Sequence, residues 1–352
     1  MRGRLLLALT CVAFSASALA AADSRETLRD AGHWKRLRQS VEQQAANRQD
    51  AEAAYFLSCT KTAFGDVDGA LDLAQRAVSV APNNSSYHLQ LGIVLGRKAQ
   101  KASFFKAMGL GNQYKAEIKR ALELDATNID AMWELMEFYW HAPGIAGGDQ
   151  KKARAMADDI MKLNVVKGYL ALAELAGKQE TDVENYYRKA AQVDPKSYEV
   201  QVRLARFYAS QKHSNFDLAE KYAQQAITLD AGRIGGYRMM AAIRVQQERW
   251  QELDALLSTA ELHVPDDLSA YFQAGVEILL AGKDPTRAER YLRKYLSQET
   301  EGYAPTLSRA HWRLGEALGK QNRKPEAIGE LETALRMEPD LEDAKKDLKA
   351  LK

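Results

Sequence analysis

Cysteine is nearly absent: the 352 residues hold only 2, Cys11 and Cys59. Cys11 falls in a stretch that reads as a removable leader, so no internal disulfide is expected and stability has to come from buried apolar contact. Proline is also scarce, 8 residues in all, and Pro82, Pro195, Pro265 and Pro339 stand at segment ends rather than inside them. No segment alternates apolar and polar residues well enough to read as a strand. The 6 histidines are scattered without metal-ligand spacing, and neither a Gly-rich phosphate loop nor a G-x-S-x-G elbow is present. Acidic pairs such as Asp158-Asp159 and Asp266-Asp267 fall at helix ends or turns, where capping accounts for them. These absences predict a non-catalytic chain with no metal and no cofactor.

The first 22 residues carry Arg2 and Arg4, an apolar run from Leu5 to Phe14, and small residues at Ala18, Ala20 and Ala22. That is the pattern of a secretory signal peptide, with an apolar run too short to span a bilayer. Thr10 is the wrong neighbour for a lipidated Cys11. The expectation is export to a periplasm or the exterior, with the mature chain starting near Ala21 or Asp23. Removing Arg2 and Arg4 from the 49 basic residues leaves 47, equal to the 47 acidic ones. A chain so balanced has no electrostatic footprint for nucleic acid, and no later stretch is long enough for stable membrane insertion.

What is there is a repeat. A stretch of about 34 residues recurs, the mark of a helix–turn–helix solenoid. The last copy, residues 308–341, has small residues at Gly315, Ala327 and Ala334, large apolar ones at Leu314, Leu318, Ile328, Leu331 and Leu335, and Pro339 at its end. The other units are read over 51–84, 85–127, 129–163, 164–196, 198–231, 234–267 and 268–301, the last of these lacking a closing proline. Small residues are needed where two helices cross closely, and an Asp-Pro or Glu-Pro step ends one helix before the next. Residues 23–50 read as an N-terminal helix or cap with a stripe of Trp34, Leu37 and Val41. Residues 342–352 read as a C-terminal capping helix, which with Leu341 offers a stripe of Leu341, Ala344, Leu348 and Leu351.

The order Leu314-Gly315, Ala327, Ala334, Pro339 resembles the tetratricopeptide repeat (TPR), in its exported bacterial form. The resemblance implies an all-α, right-handed TPR superhelix of about eight helix pairs with a concave binding face. Residues 88–130 also resemble the regulator of microtubule dynamics family, in an extended helical repeat. In TPR proteins the second, fifth, ninth, twelfth and thirteenth positions of each unit face inward. Carried over to this sequence, that face would include Tyr55, Leu89, Trp133, Glu137, Trp140, Arg206, Arg238, Phe272, Trp312 and Glu316, with Trp133 and Trp312 as anchors. The Lys/Asn pair by which some TPR adaptors clamp a C-terminal carboxylate is missing from every unit.

Two insertions break the period, residues 97–115 and 141–150. The first is expected to lengthen helix A of its unit and return through Gly109-Leu110-Gly111. The second is expected to form a glycine turn around Ile145. Phe104, Phe105, Met108 and Ile145 then make a patch, read first as a small satellite core with Phe104 flanking it, and otherwise as an exposed docking knob. The function expected is a protein–protein interaction scaffold or adaptor, monomeric or weakly self-associating, holding a protein or peptide of unknown identity. A helical-repeat enzyme or accessory factor for cell-wall glycan or peptide, and a chaperone-like factor in envelope assembly, are the alternatives.

Overall fold

The computed structural model describes residues 23–177, 180–210 and 212–352, so the expected leader at 1–22 lies outside the described residues. Among the described residues every regular element is helical. Two short helices, α1 (Arg25–Ala31) and α2 (Trp34–Val41), lead into a pair, α3 (Ala51–Ala63) and α4 (Val67–Val80). The next pairs are α5 (Ser85–Gln100) with α6 (Phe104–Leu124), α7 (Ile129–His141) with α8 (Gln150–Leu163), and α9 (Val165–Ala176) with α10 (Glu180–Val193). Then come α11 (Tyr198–Ala209) with α12 (Phe216–Leu229), and α13 (Ile234–Gln246) with α14 (Trp250–His263). The last pairs are α15 (Ser269–Leu280) with α16 (Pro285–Tyr295), and α17 (Leu307–Lys320) with α18 (Lys324–Met337). A final helix, α19 (Glu342–Leu351), covers the end. The fold is an all-α helical-repeat superhelix.

The local chemistry repeats with the helices. Asp50, Asp66, Asn84, Asn128, Asp149, Asn164, Ser197, Asn215, Asp284 and Thr306 each cap a helix by accepting a backbone N–H of its first turn. A cap of this kind is worth about 1 kcal/mol. The small residues mark the closest crossings. A Cβ on Gly92 would lie 2.6 Å from Ile118, and one on Gly275 or Gly315 would lie 2.8 Å from Leu292 or Leu331. Each places the first helix of a unit against the second, so any larger side chain there forces the pair apart. At the far end, Leu341, Ala344, Leu348 and Leu351 pack with Trp312, Leu331 and Ala334. The Trp312 indole N–H also donates to Asp347 at 2.7 Å.

The superhelix touches itself. Between α16 and α17 the chain leaves the regular path and meets the first helices. The Tyr303 N–H donates to the Ala63 carbonyl at 2.8 Å. The Lys35 N–H donates to Glu301 Oε1 at 2.8 Å, and the Arg38 guanidinium grips both oxygens of Glu299 at 2.9 and 2.7 Å. Arg36 lies 2.9 Å from Asp266. Gly302 is pressed so close that a Cβ would sit 2.7 Å from Ala63 and 2.8 Å from the Trp34 ring. Trp34 meets Tyr303 edge-on at 5.3 Å. Tyr303 itself holds φ at 57°, a region that bulky residues seldom occupy.

The insertions depart from their expected form. α5 ends at Gln100, and the extra residues lengthen the second helix of the unit instead, so α6 runs through Gly109 and Gly111 without a turn. Gly92 and Gly96 on α5 explain this: they let Ile118 and Tyr114 of α6 approach closely and hold α6 along its partner. The satellite core does not form. Phe104, Phe105 and Ile145 are 69%, 86% and 87% exposed, and Met108 is exposed too. The two insertions do adjoin, but through the middle of α6, where Lys115 lies over Phe138 at 5.3 Å beside the turn at Gly144–Ala146. Phe104 and Phe105 sit about three helical turns away, roughly 16 Å along the axis. The turn itself is built on glycine as expected: Gly147 has φ 96°, and a Cβ on Gly148 would lie 1.7 Å from the Ala142 carbonyl oxygen.

Two outcomes follow for calorimetry or thermal melting. Phe105→Ala and Ile145→Ala should each move the melting temperature by no more than about a degree or two, as exposed positions do. Gly315→Val should cost about 1–3 kcal/mol by overpacking the α17–α18 crossing. The closure also has a pH signature. Burial pushes the Glu301 carboxyl up to about 7, above its value in the unfolded chain. Its stabilising share is therefore full at low pH and lost as pH rises through about 7. The melting temperature should carry a falling component between about pH 4.5 and 7 that levels off above it, and Glu301→Gln should remove that component; an equally steep fall in the variant would assign it elsewhere.

Candidate functional site

The first helices α3, α5, α7, α11, α13, α15 and α17 line three neighbouring cavities on the inside of the superhelix. A cavity of about 250 Å³ is lined by Tyr55, Cys59, Leu89, Trp133, Glu134 and Tyr303, with others. A second, of about 400 Å³, has Arg238, Phe272, Tyr303, Arg309, Trp312 and Arg313 on its walls. The third and largest, of about 740 Å³, is lined by Arg206, Arg238, Met239, Gln273, Glu277 and Leu280, among others. Tyr303 borders the first and second, and Arg238 the second and third. The three cavities thus adjoin at these two residues, as a channel interrupted by the loop that closes the superhelix.

Most of the residues assigned to the inward face from the repeat register do lie on these walls. Tyr55, Leu89 and Trp133 come together in the first cavity. The Trp133 indole N–H donates to Glu137 at 2.9 Å, which fixes its ring, and the Arg203 guanidinium lies 5.9 Å above it. Phe272 and Trp312 meet in the second cavity. Trp312, however, is largely buried and tied to the capping helix, so it supports the fold as much as the channel. Glu316 lies in a groove toward α19 and pairs with Arg313 at 2.6 Å. Trp140 packs among Met136, Ala153 and Ile160. Phe104, Phe105, Met108 and Ile145 stand outside the channel walls described above.

Tyr303 is not singled out by the sequence pattern. Two signals point to its neighbourhood: the unit 268–301 lacks its closing proline, and the six residues between the last two units fit no repeat position.

The chemistry of the first cavity is that of a packed wall. Burial pushes the Cys59 thiol up to about 12, so it stays protonated and unreactive. Burial likewise raises the Tyr55 hydroxyl, and Arg29 donates to it. The Glu134 carboxyl is raised by burial, against the opposing hydrogen bond from Tyr114 at 3.0 Å. Toward α13 the wall becomes basic. Burial lowers the affinity of Arg238 for its proton, as does the nearby charge of Arg206, while Asp267 opposes both. The Arg238 Nε has no hydrogen-bond partner, and one of its terminal nitrogens reaches Gln273 at 3.3 Å. Among the described residues no group of side chains is arranged to hold a metal ion, and no helix is long and apolar enough to cross a membrane.

No protein-family model matches the chain, and no curated protein is similar to it in sequence. Solved structures are similar in shape. Yeast Tom70 superposes with a TM-score of 0.52 at 15% identity, over 93% of this chain and 86% of its own. The human IFIT1 dimer, solved with PPP-AAAA, gives 0.53 at 13% identity, over 91% and 79%. A thermophilic TPR protein of Thermus thermophilus is 22% identical over 53% of this chain and 96% of its own, with a TM-score of 0.46. With its repeat register, its stacked helix pairs and the likeness in shape to Tom70 and IFIT1, the chain has a fold of the tetratricopeptide-repeat type.

Proposed function

We propose that this chain is a non-catalytic scaffold that holds an extended polypeptide segment in its concave channel, and that it works after export to a periplasm. One observation carries the reading. The chain already lays a segment of its own across the channel mouth, from Glu299 to Thr306, by a backbone hydrogen bond to Ala63 and an aromatic seat on Trp34. A wall that accepts a turn of its own chain in this way, through one backbone hydrogen bond and an aromatic seat, has the chemistry to accept another segment. Trp133, with a ring held by Glu137 and still partly exposed, is the natural anchor. Export rests on the leader pattern of residues 1–22.

A nucleic-acid reading has a specific prompt, since the IFIT1 structure holds PPP-AAAA. Against it stands the charge of the mature chain, 47 basic and 47 acidic residues once Arg2 and Arg4 are gone. Phosphate backbones are bound by a surplus of Lys and Arg. An enzyme acting on cell-wall material would have to work with Glu134, which has Tyr114 as its hydrogen-bond donor but no activated nucleophile beside it. Turnover of cell-wall fragments by the purified chain would replace the scaffold reading with that one.

The two tryptophans separate the roles. Trp133→Ala should weaken capture of a partner from envelope extract by on the order of 2 kcal/mol, as loss of an anchor does, with the helical fold retained. Trp312→Ala should lower the melting temperature by freeing α19. Hydrogen exchange on the captured complex should show new protection on α7, α13 and α15. Protection confined to the outer helices, α8, α14 and α16, would overturn the concave-face reading.

A further inference from the structure

We infer that the half of the channel between α11 and α17 selects an acidic segment of polypeptide carrying aromatic side chains, through Arg206, Arg238 and Arg309. This rests on the scaffold reading above and adds the chemistry of its ligand. The three arginines stand on three different helices, at the ninth, fifth and second positions of their units, so each points inward by register. Arg206 and Arg238 share the third cavity, and Arg238 and Arg309 share the second. A row of guanidiniums thus follows the groove.

These charges are poorly neutralised. Among the described residues neither Arg206 nor Arg309 makes an ion pair. Arg238 keeps a buried Nε without a partner and a long contact to Gln273. Two acids stand nearby and offset part of this charge, but neither is ion-paired to these arginines. Asp267 accepts the Ser269 N–H at 2.8 Å. Glu277 lies on the same wall, but its oxygens take the amides of Gln273 at 2.9 Å and Gln246 at 3.3 Å. Arg313 is already satisfied, paired with Glu316 and stacked 3.8 Å over Trp312. A desolvated cation short of partners, as Arg238 is, is costly, while Arg206 and Arg309 are exposed and free to turn to a ligand; a carboxylate that enters the groove gives guanidinium its preferred bidentate partner. Phe272 and Tyr303 supply the flat apolar seats beside it.

Phosphate would also suit guanidinium, but three features favour a peptide. The arginines are separated by apolar wall, at Phe272, Val276 and Met239, rather than forming a continuous basic track. The chain as a whole has no basic surplus once its leader is gone. The segment already seated at the channel mouth is itself acidic and aromatic: Glu299 and Glu301, then Tyr303, with Glu299 held by Arg38.

The test is fluorescence anisotropy on the purified chain with three labelled probes. They are the peptide Glu-Phe-Glu-Glu-Tyr-Glu-Gly-Ser, the same peptide with lysine for glutamate, and a 5′-phosphorylated oligoadenylate. The acidic peptide should bind, weaken with salt, and lose about tenfold or more in affinity with Arg309→Gln and with Arg206→Gln. Both arginines are exposed, so the variants should melt within about a degree or two of the parent. The lysine peptide should not bind. Equal binding of both peptides, no binding of the acidic one, or indifference to both substitutions would overturn the selection for acid. In each of those cases Trp133→Ala still decides whether the concave face holds a partner at all. Tight binding of the oligoadenylate in place of the peptide would overturn both readings and make the channel a nucleic-acid site.

Discussion

The channel exists because residues far apart in sequence meet at Gly302. A stack of helix pairs has two free ends, and nothing in the stacking requires those ends to approach. Here the linker between α16 and α17 reaches the first helices, and the contact is too tight for any side chain at Gly302. Three carboxylates, Asp266, Glu299 and Glu301, face Lys35, Arg36 and Arg38 across it. The exposed Arg38–Glu299 pair is individually weak, and the buried Glu301 carboxyl is pushed toward its neutral form. What gives the contact its hold is the apolar part, Trp34 against Tyr303 and Gly302 against Ala63, with polar groups ordered around it.

The closure also divides the inner face into two chemistries. On the side of α3, α5 and α7 the wall is aromatic and apolar, and its ionisable groups, Cys59 and Glu134, are pushed toward their neutral forms by burial. On the side of α11, α13 and α17 the inward positions carry arginine. Tyr303 stands at the boundary, touching both cavities. The repeat fixes which positions point inward, and the residue placed there decides the chemistry of that point of the channel. The two halves share a backbone geometry and differ in side chains, which is how a solenoid acquires specificity without changing fold.

The helix pairs are legible in the sequence because their signal is periodic. Gly92, Gly275 and Gly315 recur at the same place in their units, and each lies at a crossing where only a small residue fits. The inward register follows from the same period, which is why Tyr55, Trp133, Arg238 and Phe272 can be assigned to one face by counting residues. Features set by a single contact are not legible in this way. The course of α6 depends on Gly92 and Gly96 accepting Ile118 and Tyr114, so Gly109 and Gly111, which look like a turn, lie inside a helix. The exposure of Phe105 and Ile145 depends on how far apart the two insertions emerge, which the sequence does not encode locally. Trp312 holds the inward position assigned to it, yet its bond to Asp347 comes from a helix outside the repeat.

Closure changes how such a chain should respond to disturbance. In an open solenoid each unit is coupled only to its neighbours, so the end units fray first and a disturbance fades along the stack. Here α2 and α3 are packed at once against α4 and against the linker before α17, and the first unit is no longer an end in the energetic sense. The remaining free end is α17–α18, and it is covered by α19 through Leu341, Ala344 and the Trp312–Asp347 bond. The molecule therefore secures its two ends by different means, one by returning to itself and the other by an added helix. The segment that performs the return is also the one that narrows the channel. In the proposed scaffold a partner lying between Trp133 and Arg238 would pass Tyr303, which borders both cavities, so whatever loosens the contact at Gly302 would both unpin the first unit and widen the path past that ring.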